Sequence, residues 1–318
     1  MAPSVARPLE NGDFEKIPAG GFPSAGMGEG LSTIPGWEAN GTVEVVRSGQ
    51  RQGGMILVVP TPIPGRGEGA SYAVTFSAAR TCAQLESLNV SVTGAASQTV
   101  DLQTLYSVEG WDSYAWAFRA GNAAGDGETA KLAFTNPGME EDPTCGPIID
   151  NIAIKKLFLP DRAEDNMVVN GDLEEGPWMF KDAALLGVLL PTNLDEETSS
   201  LPGWIVESNR AVRYIDSDHY TVPQGRRAIE LLSGKEGIIS QMVETKPEKQ
   251  YSLVFAMGSA GDSCQPPWLS WPLLVTRHKA FILLRLGTRP PLCQPQLHRQ
   301  GRKDSGGILQ CVLQHEER

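Results

Sequence analysis

Apolar and polar residues alternate along four stretches in the first half of the chain: Glu86–Val92, Gln98–Tyr106, Tyr114–Arg119 and Lys131–Thr135. Period two places successive side chains on opposite faces of an extended backbone, so each stretch predicts a strand with one buried face. Glycine or asparagine clusters separate them, and the apolar run Ile148–Ile154 predicts a closing strand. No long amphipathic helix pattern intervenes. Short strands at this spacing predict an antiparallel jelly-roll β-sandwich.

The pattern occurs twice, a sign to be sought before any other. Asn11-Gly12-Asp13-Phe14-Glu15 returns as Asn170-Gly171-Asp172-Leu173-Glu174, and Pro35-Gly36-Trp37 as Pro202-Gly203-Trp204. Val43–Val46 matches Val212–Ile215, Val59-Pro60 matches Val222-Pro223, and Tyr72–Phe76 matches Tyr251–Phe255. Thr81-Cys82-Ala83-Gln84 aligns with Ser263-Cys264-Gln265. Between the Val-Pro pair and the Tyr-led strand the first copy is shorter, 61–71 against 224–250. The additional stretch predicts two short strands, Arg227–Leu232 and Gly237–Gln241, joined by a turn at Ser233-Gly234-Lys235. The first copy has therefore lost a strand pair, unless a surface loop has simply shortened.

Length agrees with two modules, since 318 residues suit two domains better than one. We place them at 8–159 and 166–265, divided by the polar segment Leu159–Asp165. Composition then changes the picture. Residues 266–318 carry eight Lys or Arg against three Asp or Glu, whereas the whole chain has a net charge of −11. This stretch is expected to be an atypical, disordered basic tail. A frame shift or misjoined exon explains it, as does a genuine basic tail. It leaves the second module truncated, with open sheet edges. The acidic balance excludes nucleic acid as the main partner. No apolar run reaches the roughly 18 residues of a membrane helix, so no membrane partner is expected.

Candidate chemistry is sparse. Glycosidic chemistry needs two carboxylates flanking a bond, and the adjacent Glu140, Glu141 and Asp142 read instead as a solvated loop. The first copy has no histidine, and the second has only His219 before the tail, read as an exposed loop residue. A Ser-His-Asp triad in both copies is excluded. Tyr114, Trp116 and Phe118 share a strand face, the pattern of a core stripe more than of a sugar platform. Trp37 and Trp204 read as packed landmarks. Trp111 is the better surface aromatic.

The landmarks, with Thr75–Gln84, Gly110–Phe118, Asn136–Pro143 and Leu201–Trp204, resemble a plant cell-wall family catalogued as domain of unknown function 642. The resemblance covers about residues 8–265. It implies a secreted, non-enzymatic protein of two galactose-binding-like sandwiches. The partners it implies are wall polysaccharide of the pectin or cellulose class, or a pectin methylesterase that the modules dock on and modulate. The glycan-binding residues are not identified. The opening Met1–Pro8 has no apolar leader core and as written predicts retention in the cytosol, against the extracellular, cell-wall location the family implies. Two glycosylation sequons, at Asn40 and Asn89, favour the latter. The implied compartment also favours a Cys82–Cys145 disulfide over two reduced, buried cysteines. Carbohydrate-binding sandwiches that open on Asn-x-x-Phe-Glu and close on Ile-Asp often hold a structural calcium. Here that nominates Glu15 and Asp150 as ligands, against local turn and strand-end roles. The second copy keeps Glu174 but has no closing Asp, so its site is expected to be broken.

Overall fold

The computed structural model describes residues 9–16, 33–39, 56–61, 69–82, 86–95, 97–102, 110–120, 130–137, 145–162, 166–180, 187–193, 195–232, 237–244, 251–259, 269–270, 274–276, 279–286 and 307–315. All regular structure among them is β-strand. The chain forms two units, Met1–Lys156 and Leu157–Arg318.

The first unit contains β1 (Thr33–Ile34), β2 (Trp37–Ala39), β3 (Ile56–Thr61), β4 (Ser71–Ala79), β5 (Glu86–Val92), β6 (Ser97–Leu102), β7 (Trp111–Arg119), β8 (Ala130–Thr135) and β9 (Ile148–Lys156). One sheet runs β1-β2-β3-β8-β5-β6, and β7-β4-β9 form the other layer. Every pairing with a described register is antiparallel. The layers meet through aromatic rings: Phe134 of β8 stands edge-on to Phe76 of β4 at 5.2 Å, and Phe76 stacks on Tyr114 of β7 at 5.7 Å. Tyr114, Trp116 and Phe118 are all buried, so the stripe belongs to the core. Alternation understates β4 and β7, which are buried on both faces. Between their rings lie Ala73, Thr75, Ser77, Ser113, Ala115 and Ala117, small enough for close cover on the second face.

A bulge in β9 places the first unit's entry segment. Thr75 faces Ala153 and Ser77 faces Asp150, so Asn151 and Ile152 together oppose Phe76. Asn151 takes φ of 51°, a left-handed conformation that asparagine tolerates better than most residues. Ile152 N–H thereby turns outward and donates to the Gly12 carbonyl at 2.8 Å. Any Cβ at Gly12 would collide with the Ile152 carbonyl oxygen, so the approach requires glycine.

The second unit contains β10 (Val188–Leu189), β11 (Ile205–Val206), β12 (Val212–Asp216), β13 (Arg227–Leu231), β14 (Ile238–Glu244), β15 (Tyr251–Ser259), β16 (Leu269–Ser270), β17 (Leu274–Thr276), β18 (Lys279–Leu286) and β19 (Gly307–His315). One layer runs β15-β19-β13-β12-β10 and the other β11-β14-β18-β16, with β17 on β18. The two strands expected from the longer second copy form, as β13 and β14, but in different layers and not as a hairpin. Topology also corrects the alignment of the copies. β3 pairs with β2 and directly precedes β4, as β14 pairs with β11 and directly precedes β15. Val59-Pro60 therefore corresponds to β14 and not to Val222-Pro223, and the shortening falls within 40–55, outside the described residues.

Four strands, β16 to β19, fall in the stretch expected to be a disordered tail, and the rest of that stretch lies outside the described residues. β18 pairs with β14 over seven residues, the place that β8 takes beside β3, and β19 lies between β13 and β15. The reason is physical. Unpaired strand edges expose rows of N–H and C=O groups, and the apolar runs Phe281–Leu284 and Ile308–Leu313 supply backbone to satisfy them. Average composition hid these runs among basic and proline-rich neighbours.

Candidate functional site

The repeated Asn-Gly-Asp and Pro-Gly-Trp motifs form one lock, built the same way in each unit. Asn11 and Asn170 take φ of 53° and 50°. Their Nδ2 groups donate to the carbonyls of Pro35 and Pro202 at 2.9 and 3.0 Å. Their Oδ1 atoms accept from Lys16 N–H and Glu175 N–H, at 2.8 and 3.1 Å. The indoles of Trp37 and Trp204 donate back to the carbonyls of Asn11 and Asn170, at 2.9 and 3.0 Å. Gly36 and Gly203 both take φ of 84°, which bends the chain so that each indole turns inward. These motifs are structural, and neither tryptophan is presented to a ligand.

The lock also sets the acidic residues that follow it. In the first unit Asp13 and Glu15 are exposed and Asp150 is half-buried at the β9 bulge. Burial raises the pKa of Asp150 above its ordinary value, and its Oδ1 bond from Asn151 N–H at 2.7 Å opposes this. The charges of Glu15 and then Asp13 push it further up. In the second unit the equivalent carboxylate is already compensated. Glu174 Oε1 accepts from Arg226 N–H at 2.6 Å and Arg227 N–H at 3.0 Å. Tyr214 closes over that turn, donating from its hydroxyl to the carbonyls of Leu173 at 2.9 Å and Glu174 at 3.2 Å. Burial holds its phenol well above the ordinary range, and Arg227 opposes the shift.

His219 departs from the exposed-loop expectation. It lies half-buried in the turn between β12 and β13, its Nδ1 2.7 Å from Asp216 Oδ1. Asp216 also accepts from the N–H groups of Asp218 and His219 and pairs through Oδ2 with Arg227 at 3.3 Å. Arg227 in turn reaches Met179 Sδ at 3.0 Å and lies 5.9 Å from the Tyr214 ring centre. The carboxylate is thus occupied as a turn cap. The spacing Asp-x-x-His was the signal for it.

Cys82, after β4, and Cys145, before β9, are joined by a disulfide, with Cα atoms 5.6 Å apart. Glu86, fully buried at the start of β5, lies beside them and was missed from sequence. Its signal was parity, because it falls on the inward register of Leu88, Val90 and Val92. Asn89 lies on the opposite, half-buried register and donates to Thr99 Oγ1 at 3.2 Å. Asn40 and Glu140–Asp142 lie outside the described residues. Of the described tryptophans, Trp37, Trp116 and Trp204 are buried, whereas Trp111 in the first unit and Trp178 in the second are each 36% exposed.

A family described as a protein of unknown function, DUF642, matches residues 7–63, 66–155 and 166–269. The chain belongs to the DUF642 family. It is 44% identical over 279 residues to the Arabidopsis thaliana protein DUF642 L-galactono-1,4-lactone-responsive gene 1, covering 82% of this chain and 72% of that protein. A second such protein, responsive gene 2 of the same plant, is 45% identical over 81% of this chain and 72% of its own. Protein TEEBE, also from Arabidopsis, is 39% identical over 80% and 71% respectively. None of these names denotes an enzyme. A Paenibacillus cycloisomaltooligosaccharide glucanotransferase aligns over 86% of this chain and 44% of its own at 11% identity, but its TM-score of 0.24 carries no argument.

Proposed function

We propose that this DUF642 chain is a non-catalytic, extracellular cell-wall protein that binds wall polysaccharide of the pectin or cellulose class. The supporting observation is the pair of exposed indoles, Trp111 and Trp178, one in each unit, while the other described tryptophans are buried. An exposed, rigid ring offers a flat apolar face to the C–H face of a pyranose, together with an N–H donor. Partial retention of purified protein on pectin or cellulose is the expected result. Trp111→Ala and Trp178→Ala should each weaken retention by about tenfold, the cost of losing one aromatic anchor. Retention unchanged by both substitutions would sink the polysaccharide reading. The adjacent exposed residues Phe158 and Leu159 favour the second reading, docking on a pectin methylesterase. Retention that requires added esterase would select it.

We further propose a structural calcium in the first unit, held by Glu15 and Asp150. Asp13, Glu15 and Asp150 would supply hard oxygen donors, and the charges of Glu15 and Asp13 already bear on Asp150. Calcium bound there would pin the entry segment to β9. The pH dependence follows from Asp150, whose folded pKa lies above its ordinary value. Between those two values the folded state binds more protons than the unfolded one. Stability without calcium therefore falls as pH rises through that window. Added calcium should reverse the slope, and Asp150→Asn should remove both effects. Thermal unfolding at several pH values, with calcium or chelator, checks this; a calcium response that survives Asp150→Asn would refute the assignment.

A further inference from the structure

Glu86 has no role in the binding surface or the calcium cluster, yet it is a fully buried carboxylate beside two sulfur atoms. Its position is fixed by several donors. Oε1 accepts from Cys82 N–H at 2.7 Å, Thr81 N–H at 3.0 Å and the Thr81 hydroxyl at 3.2 Å. Among the described residues Oε2 accepts the shared Thr81 N–H at 3.0 Å, and a carboxylate oxygen has a second lone pair to offer. The Thr81 side chain is in turn stitched to Gly146, whose N–H lies 2.8 Å and carbonyl 2.9 Å from Oγ1. One carboxylate oxygen and both sulfurs lie within 4.8 Å of one another.

We propose that, once the disulfide is reduced, Cys82, Cys145 and Glu86 form a three-ligand site for a borderline-soft divalent transition metal of the zinc class. Backbone pairing also holds these residues together. β4 and β9 pair from Tyr72 with Lys156 through Ala79 with Ile148, which brings both cysteine segments to the same end of the ladder. The Cα separation of 5.6 Å suits two thiolates on one metal as well as it suits a disulfide. A dithiol reductant delivers two electrons and two protons to the disulfide and leaves as its own cyclic disulfide. The two thiols then lose their protons to solvent as the metal binds, giving two sulfur ligands and one carboxylate oxygen. Water completes a four-coordinate shell. The divalent cation then compensates the carboxylate and the two thiolates, whose charge burial would otherwise penalise. Cys82 and Thr81 are half-buried, which gives the ion a route in.

Cadmium serves as the probe, since its thiolate complexes absorb in the near ultraviolet. The full chain is reduced with dithiothreitol, freed of reductant under nitrogen, and titrated. Cys264, Cys293 and Cys311 also carry sulfur, so the reading is the difference from the variant Cys82→Ser/Cys145→Ser. We expect reduced protein to bind one more cadmium than either oxidised protein or that variant, with β-type circular dichroism retained. Glu86→Gln should weaken this additional binding at least about tenfold, and Glu86→Asp should do the same by withdrawing the oxygen. Equal cadmium in all forms overturns the proposal, as does loss of the β signal on reduction. Full affinity in both Glu86 variants removes the carboxylate and overturns the three-ligand site.

Discussion

Replacing Trp204 by alanine should cost the second unit about 3–5 kcal/mol, the range for deleting a large buried aromatic. The side chain is completely buried, and the cavity would open beneath the Asn170 turn. Its indole N–H is the back-bond that closes the lock, so the loss is one of attachment as well as volume. Trp204→Phe separates the two effects. It keeps most of the ring but removes the donor, and the Asn170 carbonyl still accepts from Leu173 N–H at 3.1 Å. Since that carbonyl is not orphaned, the phenylalanine variant should lose only about 1–2 kcal/mol. Urea unfolding followed by circular dichroism at matched m-values checks both. An alanine variant within about 1 kcal/mol of the parent would mean that the landmark is not structural, contrary to the expectation for core truncations.

The lock was half legible. Pro-Gly-Trp announced a turn and a packed ring, and the order of repeats paired each with its Asn-Gly-Asp. The joining of the two motifs by a reciprocal hydrogen bond is a long-range fact, across 26 residues in the first unit and 34 in the second. Alternation located β5 and β8 nearly to the residue because each has one wet face. The same parity puts Glu86 on the inward register of β5, where local donors stabilise its burial, but the sequence reading did not single it out. Alignment of the copies failed for Val59-Pro60, where a matching dipeptide concealed a different strand. Dipeptides carry little information, and sheet partners decide the correspondence. The exposed rings were legible only in part: Trp111 was singled out, whereas Trp178 lies outside any alternating stretch.

The other large effect concerns a charge pair that no pattern in the second unit advertises. Arg213 of β12 and Glu230 of β13 stand directly opposite in the ladder, 3.1 Å apart, and both side chains are only 1% exposed. Desolvating two ions is costly, and their attraction and hydrogen bonds only offset that cost. Removing one partner is therefore worse than removing both. Arg213→Met should destabilise the second unit by about 3–5 kcal/mol, because it leaves a carboxylate in the interior without its cation. Adding Glu230→Leu should recover most of that loss, since two apolar side chains replace the pair across the same register. The coupling read from a double-mutant cycle should accordingly be large and favourable to the double variant relative to the sum of the singles. Chemical denaturation of the four proteins checks it. Additive losses in the double variant would show that the two side chains act through other neighbours and not through each other.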